Sequence, residues 1–331
     1  MPPSITFLIC TYRAPASLDL LFDSLQVQKW QEGDEIVVVD NGVGKDRLSL
    51  LRERLDQLTS TGIKTTYAKE PKVGLTNARL NGFALVKNEW LVLLDDDNIL
   101  DENSLSQIRH RIALNPGLGG ICPRIEAVWE EAPPDWVVML GHEVLSYNTS
   151  PIRSVRDLSL EWEAGKWGLR PPGGGMIIHR SATDAFLAMS QTFPLLTDLG
   201  HRGTSLGSGE DYILYLQAYQ SGRPTAYDGS IIIRHIISPD RMRFSYLCRL
   251  LFHANYAFAL IALALHGKIL FLPSIGHAAL RLSMRLFTAG RHAVSLNVLV
   301  AFACAFAGYV CGTFSGLFRG DLPLFKGTGL R

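Results

Sequence analysis

Short apolar runs that end in polar residues recur through the first hundred positions of the chain. Residues 5–10, 35–40, 64–68 and 90–94 have the length of strands, and the first, second and fourth are apolar enough to be buried on both faces. Apolar positions in 17–28 recur at helical spacing, and a second helix is predicted at 47–58. This strand–helix–strand order predicts right-handed crossovers within a parallel sheet, so the fold class is α/β.

The rest of the chain adds further elements. Strands are predicted at residues 120–125, 176–180 and 227–234, and a helix begins near residue 210 and runs to 222. We expect residues 1–240 to form one domain, and residues 241–331 to form a separate helical region.

Three aspartates, Asp95, Asp96 and Asp97, come directly after the fourth predicted strand. Carboxylates this close repel one another unless an opposite charge offsets them, and oxygen ligands of this kind suit Mg²⁺ or Mn²⁺. Open α/β sheets bind their ligands outside the carboxyl ends of strands. The triplet therefore indicates a metal site that receives a phosphate-bearing substrate. The alternative is a solvated acidic turn that caps the next helix, with Asp101 or Asn103 as N-cap.

Other polar residues also stand at the ends of predicted strands. Thr11, Tyr12 and Arg13 follow the first strand and Asp40 ends the second, an arrangement typical of a nucleotide-binding half-domain. Neither a GxGxxG fingerprint nor a GxxxxGK[ST] loop occurs, so the dinucleotide and P-loop classes do not apply. Arg79, near a predicted helix start, is either a phosphate contact or an ordinary surface arginine.

Later segments carry three more candidate groups. A run of glycines before a short strand lets the backbone approach a ligand closely, or else forms a flexible hinge. This run consists of Gly173, Gly174 and Gly175. Asp211 is a candidate general base beside Glu210, although the helix dipole alone favours carboxylates at a helix start. His235 follows the last strand and is either a metal ligand or a plain histidine.

Charge and cysteine content narrow the class of protein. The chain has 331 residues and a formal net charge of +1, without a concentrated Lys/Arg run in its first two thirds, so nucleic acid is not an expected partner. Its five cysteines form neither a CxxC pair nor a zinc spacing, which indicates buried thiols in a reducing compartment. The first ten residues lack the pattern of a signal peptide, so we expect activity in the cytoplasm.

The last third of the chain has charge of one sign. Residues 241–320 contain eight Lys/Arg residues and no Asp or Glu, and residues 294–318 carry no formal charge. That apolar stretch is long enough to span about 30 Å of hydrocarbon. The pattern predicts attachment to a membrane that carries anionic lipid, peripherally or as a tail anchor at the cytoplasmic face of the inner membrane. The alternative is a soluble helical cap, packed on the rest of the chain or paired between protomers.

Taken together and in this order, these residues resemble the family 2 glycosyltransferases of bacterial type. The resemblance covers about residues 4–245. The family's strand-ending Thr-Tyr-Arg is matched at 11–13, its base-contacting aspartate by Asp40, and its DxD by Asp95 and Asp97. Its glycine-rich acceptor loop is matched at 173–175, its Glu-Asp helix start at 210–211, and its C-terminal histidine by His235. The QxxRW-type motif of the family's polymerising synthases is absent from the sequence, which favours a single-addition transferase.

The resemblance implies a GT-A fold, a Rossmann-like mixed sheet flanked by helices, as the catalytic domain. It implies inverting transfer of a sugar from a nucleotide-diphosphate sugar to a hydroxyl of a glycan, lipid-linked or other acceptor, in polysaccharide or glycolipid biosynthesis. Asp211 would be the general base, with Glu210 holding the acceptor. A cofactor, Mn²⁺ or Mg²⁺, would be held by Asp97, Asp95 and His235. The implied nucleotide-sugar contacts are Thr11, Tyr12, Arg13, Asp40, Arg79, Asp95 and Asp96.

Two other classes of protein are compatible with parts of the pattern. A sugar-phosphate nucleotidyltransferase would need a glycine- and lysine-rich loop after the first strand, and the segment TYRAPAS lacks one. A non-catalytic binding module would have no need for Asp97, Asp211 and His235 together, so the enzyme interpretation is favoured.

Overall fold

The computed structural model describes residues 3–138, 145–147, 155–157, 173–193, 199–203, 205–207, 209–266 and 296–318. The chain divides into two compact units. The larger consists of Met1–Val128, Ser146–Thr197 and Glu210–Ile237, and the smaller of Trp129–Leu145, Asp198–Gly209 and Ser238–Arg331.

Nine strands form a single mixed sheet within the described residues. They are β1 (Ile5–Thr11), β2 (Glu35–Asp40), β3 (Lys64–Lys69), β4 (Trp90–Asp95), β5 (Asn98–Leu100), β6 (Gly120–Trp129), β7 (Val155–Asp157), β8 (Ile177–His179) and β9 (Thr225–Ile237).

The first four strands confirm the predicted parallel sheet. β1 pairs in parallel with both β2 and β4, and β2 pairs in parallel with β3. Every residue of β1 and β2 is buried, as continuous apolar runs require, whereas β3 has exposed ends because it lies at the edge of the sheet. The carboxyl ends of β1, β2 and β4 therefore meet at one edge.

The remaining strands make the sheet mixed. β8 runs antiparallel to β4 and to β6, and β9 runs antiparallel to β5 and β7. The strand order is β3-β2-β1-β4-β8-β6-β9-β5, with β7 on β9. This half of the sheet brings segments beyond residue 170 against the end of β4.

Six of the described helices start within the larger unit. They are α1 (Ser17–Gln26), α2 (Lys45–Ser60), α3 (Leu75–Leu85), α4 (Ser104–Leu114), α5 (Arg180–Thr192) and α6 (Glu210–Gln220). The helix α3 continues through Gly82 without a break. A methyl group at Gly82 would collide with the Leu8 side chain, so the glycine lets α3 approach β1 closely.

Two long helices dominate the described part of the smaller unit, α7 (Phe244–His266) and α8 (Leu296–Phe318), after a short 3₁₀ helix at Pro239–Met242. A methyl group at Gly308 would collide with the Phe252 carbonyl oxygen, and one at Gly312 with the Tyr256 carbonyl oxygen. A step of four residues along α8, from Gly308 to Gly312, corresponds to a step of four residues in the same direction along α7, from Phe252 to Tyr256. The helices α7 and α8 therefore run parallel, with their backbones in close approach. Among the residues that the structure describes, no helix combines the length and the hydropathy of a membrane span.

The prediction that all five cysteines are buried is wrong for the three that lie in the smaller unit. All five cysteines are free, but only Cys10 and Cys122 are buried. Cys248 and Cys304 are partly exposed and Cys311 is exposed, because these three lie on α7 and α8.

Candidate active site

The three aspartates lie in a turn between β4 and β5, which we call the acidic turn (residues 95–98). Thr11 Oγ1 donates a hydrogen bond to Asp96 Oδ2 (2.6 Å), and Asn98 Oδ1 accepts one from Asp95 N (2.9 Å). Asp97 is only 8% exposed. The acidic turn is therefore not itself a solvated cap on the next helix, because β5 separates it from α4 and the turn is bound to β1. The N-cap expected under that alternative is nevertheless correct, since Asn103 stands at the N-cap of α4, without a capping hydrogen bond from its side chain.

The end of β9 closes the other side of the acidic turn. His235 is paired with Asn98 in the ladder between β5 and β9, and Ile236 N donates to Asp97 O (2.9 Å). As a result His235 Nε2 lies 3.4 Å from Asp97 Oδ2, with the imidazole 3% exposed. The structure thus places two predicted metal ligands, 138 positions apart in sequence, beside each other.

These two side chains fit a divalent cation. Two donors bound at right angles to one small divalent cation, each at about 2.1 Å, lie about 3 Å apart, which is close to the separation seen here. A carboxylate oxygen and an imidazole nitrogen are also donors that such ions accept. The third predicted ligand, Asp95, instead directs Oδ1 to Arg79 Nη2 (3.2 Å). Within the described ranges no three carboxylate, histidine or cysteine side chains converge on one point.

Arg79 occupies the centre of the site. The whole residue is 3% exposed, and its guanidinium also donates through Nη1 to Glu210 Oε1 (3.0 Å). It is therefore not the surface arginine of one sequence interpretation. Nor does it lie open to a phosphate in this structure, since two carboxylates share its donors and a loop covers it.

That loop is the glycine loop (Gly173, Gly174 and Gly175), and its composition follows from its surroundings. A methyl group at Gly173 would lie 2.6 Å from Arg79 Nη2, and one at Gly174 would lie 2.5 Å from Asp95 Oδ2. Gly175 has φ +96°, which favours glycine, and donates its N–H to Leu93 O (2.6 Å). The loop is bound to β4 and packed on charged side chains, which disfavours its interpretation as a free hinge.

The start of α6 places two carboxylates at different depths. Asp211 is half-buried, and its Oδ2 accepts a hydrogen bond from Gly173 N (3.0 Å). Glu210 is 5% exposed and faces Arg79. Burial and the Asp211 carboxylate raise the pKa of Glu210 to about 8, although Arg79 opposes this rise. The half-buried Asp211 is the one that a substrate can approach.

The residues after β1 and β2 form a second polar group. Asp40 Oδ1 accepts hydrogen bonds from Gly42 N (2.9 Å) and Val43 N (2.7 Å), and its Oδ2 accepts one from the Tyr67 hydroxyl (2.7 Å). Burial raises the pKa of Asp40, but these hydrogen bonds outweigh it, so the pKa lies below its ordinary value. Asp40 therefore fixes the backbone of the loop after β2, and this role is separate from its predicted contact with a nucleotide base.

Tyr12 and Arg13 are the exposed members of this group. Tyr12 is 37% exposed, and the Arg13 guanidinium carbon lies 5.4 Å from the centre of its ring. Gly42, with φ +138°, lets the chain pass the Tyr12 ring, because a methyl group there would lie 2.8 Å from Cε2. An aromatic face with an exposed cation beside it suits a planar base or a phosphate.

Sequence reasoning missed two residues that build the site. Asn98 closes the acidic turn through its side chain. Asn41 donates from Nδ2 to Glu70 O (3.0 Å) and accepts at Oδ1 from Gly74 N (2.7 Å), which sets the start of α3 and hence the position of Arg79. The only sequence signal for these two asparagines was a polar side chain close to the end of a buried strand. Asn41 was passed over because its neighbour Asp40 was already the candidate at that strand end.

A comparison with known protein families finds a match for the first half of the chain. Residues 6–161 match the family model of glycosyl transferase family 2. The chain is a glycosyltransferase. The matched segment of this glycosyltransferase includes Thr11, Asp40, Arg79 and the acidic turn, whereas the glycine loop, α6 and His235 lie beyond it. No protein of curated function matches the chain in sequence.

Two solved structures align with most of the chain. The mannosyltransferase PcManGT from Pyrobaculum calidifontis, in complex with GDP-Man and Mn²⁺, aligns with a TM-score of 0.57 and 17% identity, over 96% of this chain and 88% of that chain. S. aureus TarS 1-349 aligns with a TM-score of 0.49 and 13% identity, over 96% and 93%. The first likeness confirms the predicted GT-A fold, a mixed sheet flanked by helices with a helical C-terminal region.

Proposed function

We propose that this glycosyltransferase transfers a sugar from a nucleotide-diphosphate sugar to an acceptor hydroxyl, with inversion at the anomeric carbon. The observation that carries the proposal is the link between three parts of the site. Asp211 binds Gly173, Gly174 lies on Asp95, and Asp95 begins the turn that holds Asp97 beside His235. A candidate base and a candidate site for the leaving diphosphate are thus linked through the glycine loop.

The donor is assigned from chemistry at the ends of β1, β2 and β4. The exposed Tyr12 and Arg13 suit a base and a phosphate, and ligands of open α/β sheets bind at this edge. The mannosyltransferase of like fold is solved with GDP-Man and Mn²⁺, which supports a sugar nucleotide as the donor class here.

Asp211 is proposed as the general base. An acceptor hydroxyl has a pKa far above neutrality, so its attack on the anomeric carbon needs a proton acceptor within hydrogen-bond reach. Gly173 N orients one oxygen of the Asp211 carboxylate. A single base that activates the acceptor opposite the leaving diphosphate gives a single displacement, and hence inversion.

Asp97 and His235 are proposed to hold Mn²⁺ or Mg²⁺, with Asp95 paired to Arg79. The bound cation would supply Lewis-acid stabilisation of the charge that develops on the diphosphate. The protein's own contribution is a pair of donor atoms held in place by the ladder between β5 and β9.

A donor panel tests this function directly. Purified protein is assayed for transfer and for donor hydrolysis with a set of nucleotide sugars, in Mn²⁺, Mg²⁺ or EDTA, beside Asp211→Asn. We expect metal-dependent turnover of one donor, and a loss of about 10²–10⁴ in kcat in Asp211→Asn with nucleotide binding retained. Absence of nucleotide-sugar binding by the wild type would refute the proposal.

We propose that the transfer takes place at the cytoplasmic face of the inner membrane of a bacterium, onto a glycan or lipid-linked acceptor of polysaccharide or glycolipid biosynthesis. Two observations support this. Residues 241–320 lack acidic side chains. Large apolar side chains on α8, namely Val300, Phe306 and Phe314, are 38%, 49% and 58% exposed, which suits an interfacial helix beside basic residues.

Vesicle sedimentation tests the membrane proposal. We expect the protein to bind vesicles that contain anionic lipid, and to bind less when Phe306 and Phe314 are both changed to Ser. Val27→Ser, which removes an apolar side chain that is 62% exposed on the larger unit, is the matched control. Equal recovery of all proteins in the supernatant would contradict attachment through α8.

A further inference from the structure

Arg79 connects the two sides of the proposed reaction. Its Nη1 lies 3.0 Å from Glu210 Oε1, and its Nη2 lies 3.2 Å from Asp95 Oδ1. Glu210 adjoins the proposed base Asp211 at the start of α6, and Asp95 begins the acidic turn. The arginine thus joins α3, α6 and β4 at one buried point.

We propose that Arg79 is a positioning residue of the transfer reaction, which holds Glu210 and Asp95 in fixed relation and through Glu210 sets the position and charge around Asp211. This inference rests on the proposed function. It replaces direct phosphate contact as the role of Arg79, and it gives Glu210 a role behind the base in place of contact with the acceptor.

Burial and geometry support the inference. The Arg79 and Glu210 side chains are 4% and 6% exposed, so neither reaches a substrate directly. The glycine loop covers the guanidinium at a distance that leaves no room for a Gly173 side chain. The same loop binds Asp211 through Gly173 N, so a displaced guanidinium would also displace the segment that orients the base.

Electrostatics make the arrangement more than a structural ion pair. Glu210 faces three charged groups: Asp211 on its own helix, Arg79 on α3 and Asp95 on β4. The first and third disfavour its ionisation, as burial does, and Arg79 alone of these three favours it. Removal of Arg79 therefore moves the ionisation of Glu210 to higher pH.

The test is a double-mutant cycle with a pH profile. The kcat for transfer is measured from about pH 6 to about pH 10.5 for the wild type, Arg79→Met, Arg79→Lys, Glu210→Gln and Arg79→Met/Glu210→Gln. We expect Arg79→Met to lose about 10²-fold in kcat with donor binding retained, and its acidic limb to move to higher pH. Arg79→Lys keeps the charge but lacks the fork that reaches two carboxylates, so it should restore only part of the rate.

The energetic coupling between the Arg79 and Glu210 substitutions shows whether Arg79 positions the base or only stabilises the fold. If Arg79 acts through Glu210, the double variant loses much less than the sum of the two single losses, and its pH profile matches that of Glu210→Gln. The matched control is Arg109→Lys, because Arg109 forms another buried ion pair, 2.6 Å from Asp34. It should keep the wild-type kcat and pH profile even if its melting temperature falls.

The outcomes separate this inference from the proposed function. A wild type that transfers no sugar from any nucleotide sugar contradicts the proposed function itself. An active wild type whose Arg79→Lys and Arg79→Met variants keep its acidic limb, with losses that add to that of Glu210→Gln, overturns the positioning role alone. If Arg79→Met does not fold, Arg79→Lys carries the same test through its pH profile.

Discussion

Gly173→Ala should inactivate the enzyme through a single added methyl group. The new carbon would lie 2.6 Å from Arg79 Nη2 and 2.7 Å from Nη1. Ordinary contacts between such atoms begin at about 3.5 Å, so one of the groups must move by about 0.9 Å. Arg79 has little freedom to withdraw, because it is buried and bound to Glu210 at 3.0 Å and to Asp95 at 3.2 Å.

Two effects follow from this displacement. Overpacking at a tight site typically lowers the free energy of unfolding by about 1–3 kcal/mol. A misplacement of about 1 Å at a reacting group lowers the rate by about 10²-fold, and Gly173 N also orients Asp211. We therefore expect kcat to fall by about two orders of magnitude while the protein stays folded.

The assay compares kcat at saturating donor and the melting temperature of Gly173→Ala with those of the wild type. Gly117→Ala is the matched control, because a methyl group at Gly117 meets no atom within 4 Å. A Gly173→Ala enzyme with the kcat and melting temperature of the wild type would refute the close packing of the glycine loop on Arg79.

Three further outcomes are expected. Burial raises the pKa of Glu210 from 4.5 to about 8. Between these two pH values the native state binds more protons than the unfolded state, so the contribution of Glu210 to the free energy of unfolding falls as the pH rises from 4.5 to about 8. Glu210→Gln should remove that slope from urea unfolding measured at about pH 5 and pH 8, and an unchanged slope would contradict the burial of an ionisable Glu210. Gly308→Ala should lower the free energy of unfolding by about 1–3 kcal/mol through collision with the Phe252 carbonyl, whereas Phe314→Ala at an exposed position should not, as thermal melts would report. His235→Ala should raise the Mn²⁺ concentration for half-maximal activity by about 10-fold or more, and an unaltered metal requirement would exclude His235 as a ligand.

Much of the parallel half of the fold could be read from the sequence. Continuous apolar runs at β1, β2 and β4 require burial on both faces, and a strand–helix–strand order allows essentially one handedness of crossover. The antiparallel half was harder. β5, β7 and β8 have only three residues each in the structure, too few for a periodic pattern, and their pairing joins distant segments.

The amino-acid sequence by itself determined the kinds of chemistry present: an acidic triplet after a buried strand, a Glu-Asp helix start and a triple glycine. Only the tertiary structure decided how these groups are used. Pairing between β5 and β9 brings His235 within 3.4 Å of Asp97. Packing of α3 and α6 buries Arg79 and Glu210 together as an ion pair. The physical reason is that burial and partners set the role of a charged side chain, and both come from segments that are remote in sequence.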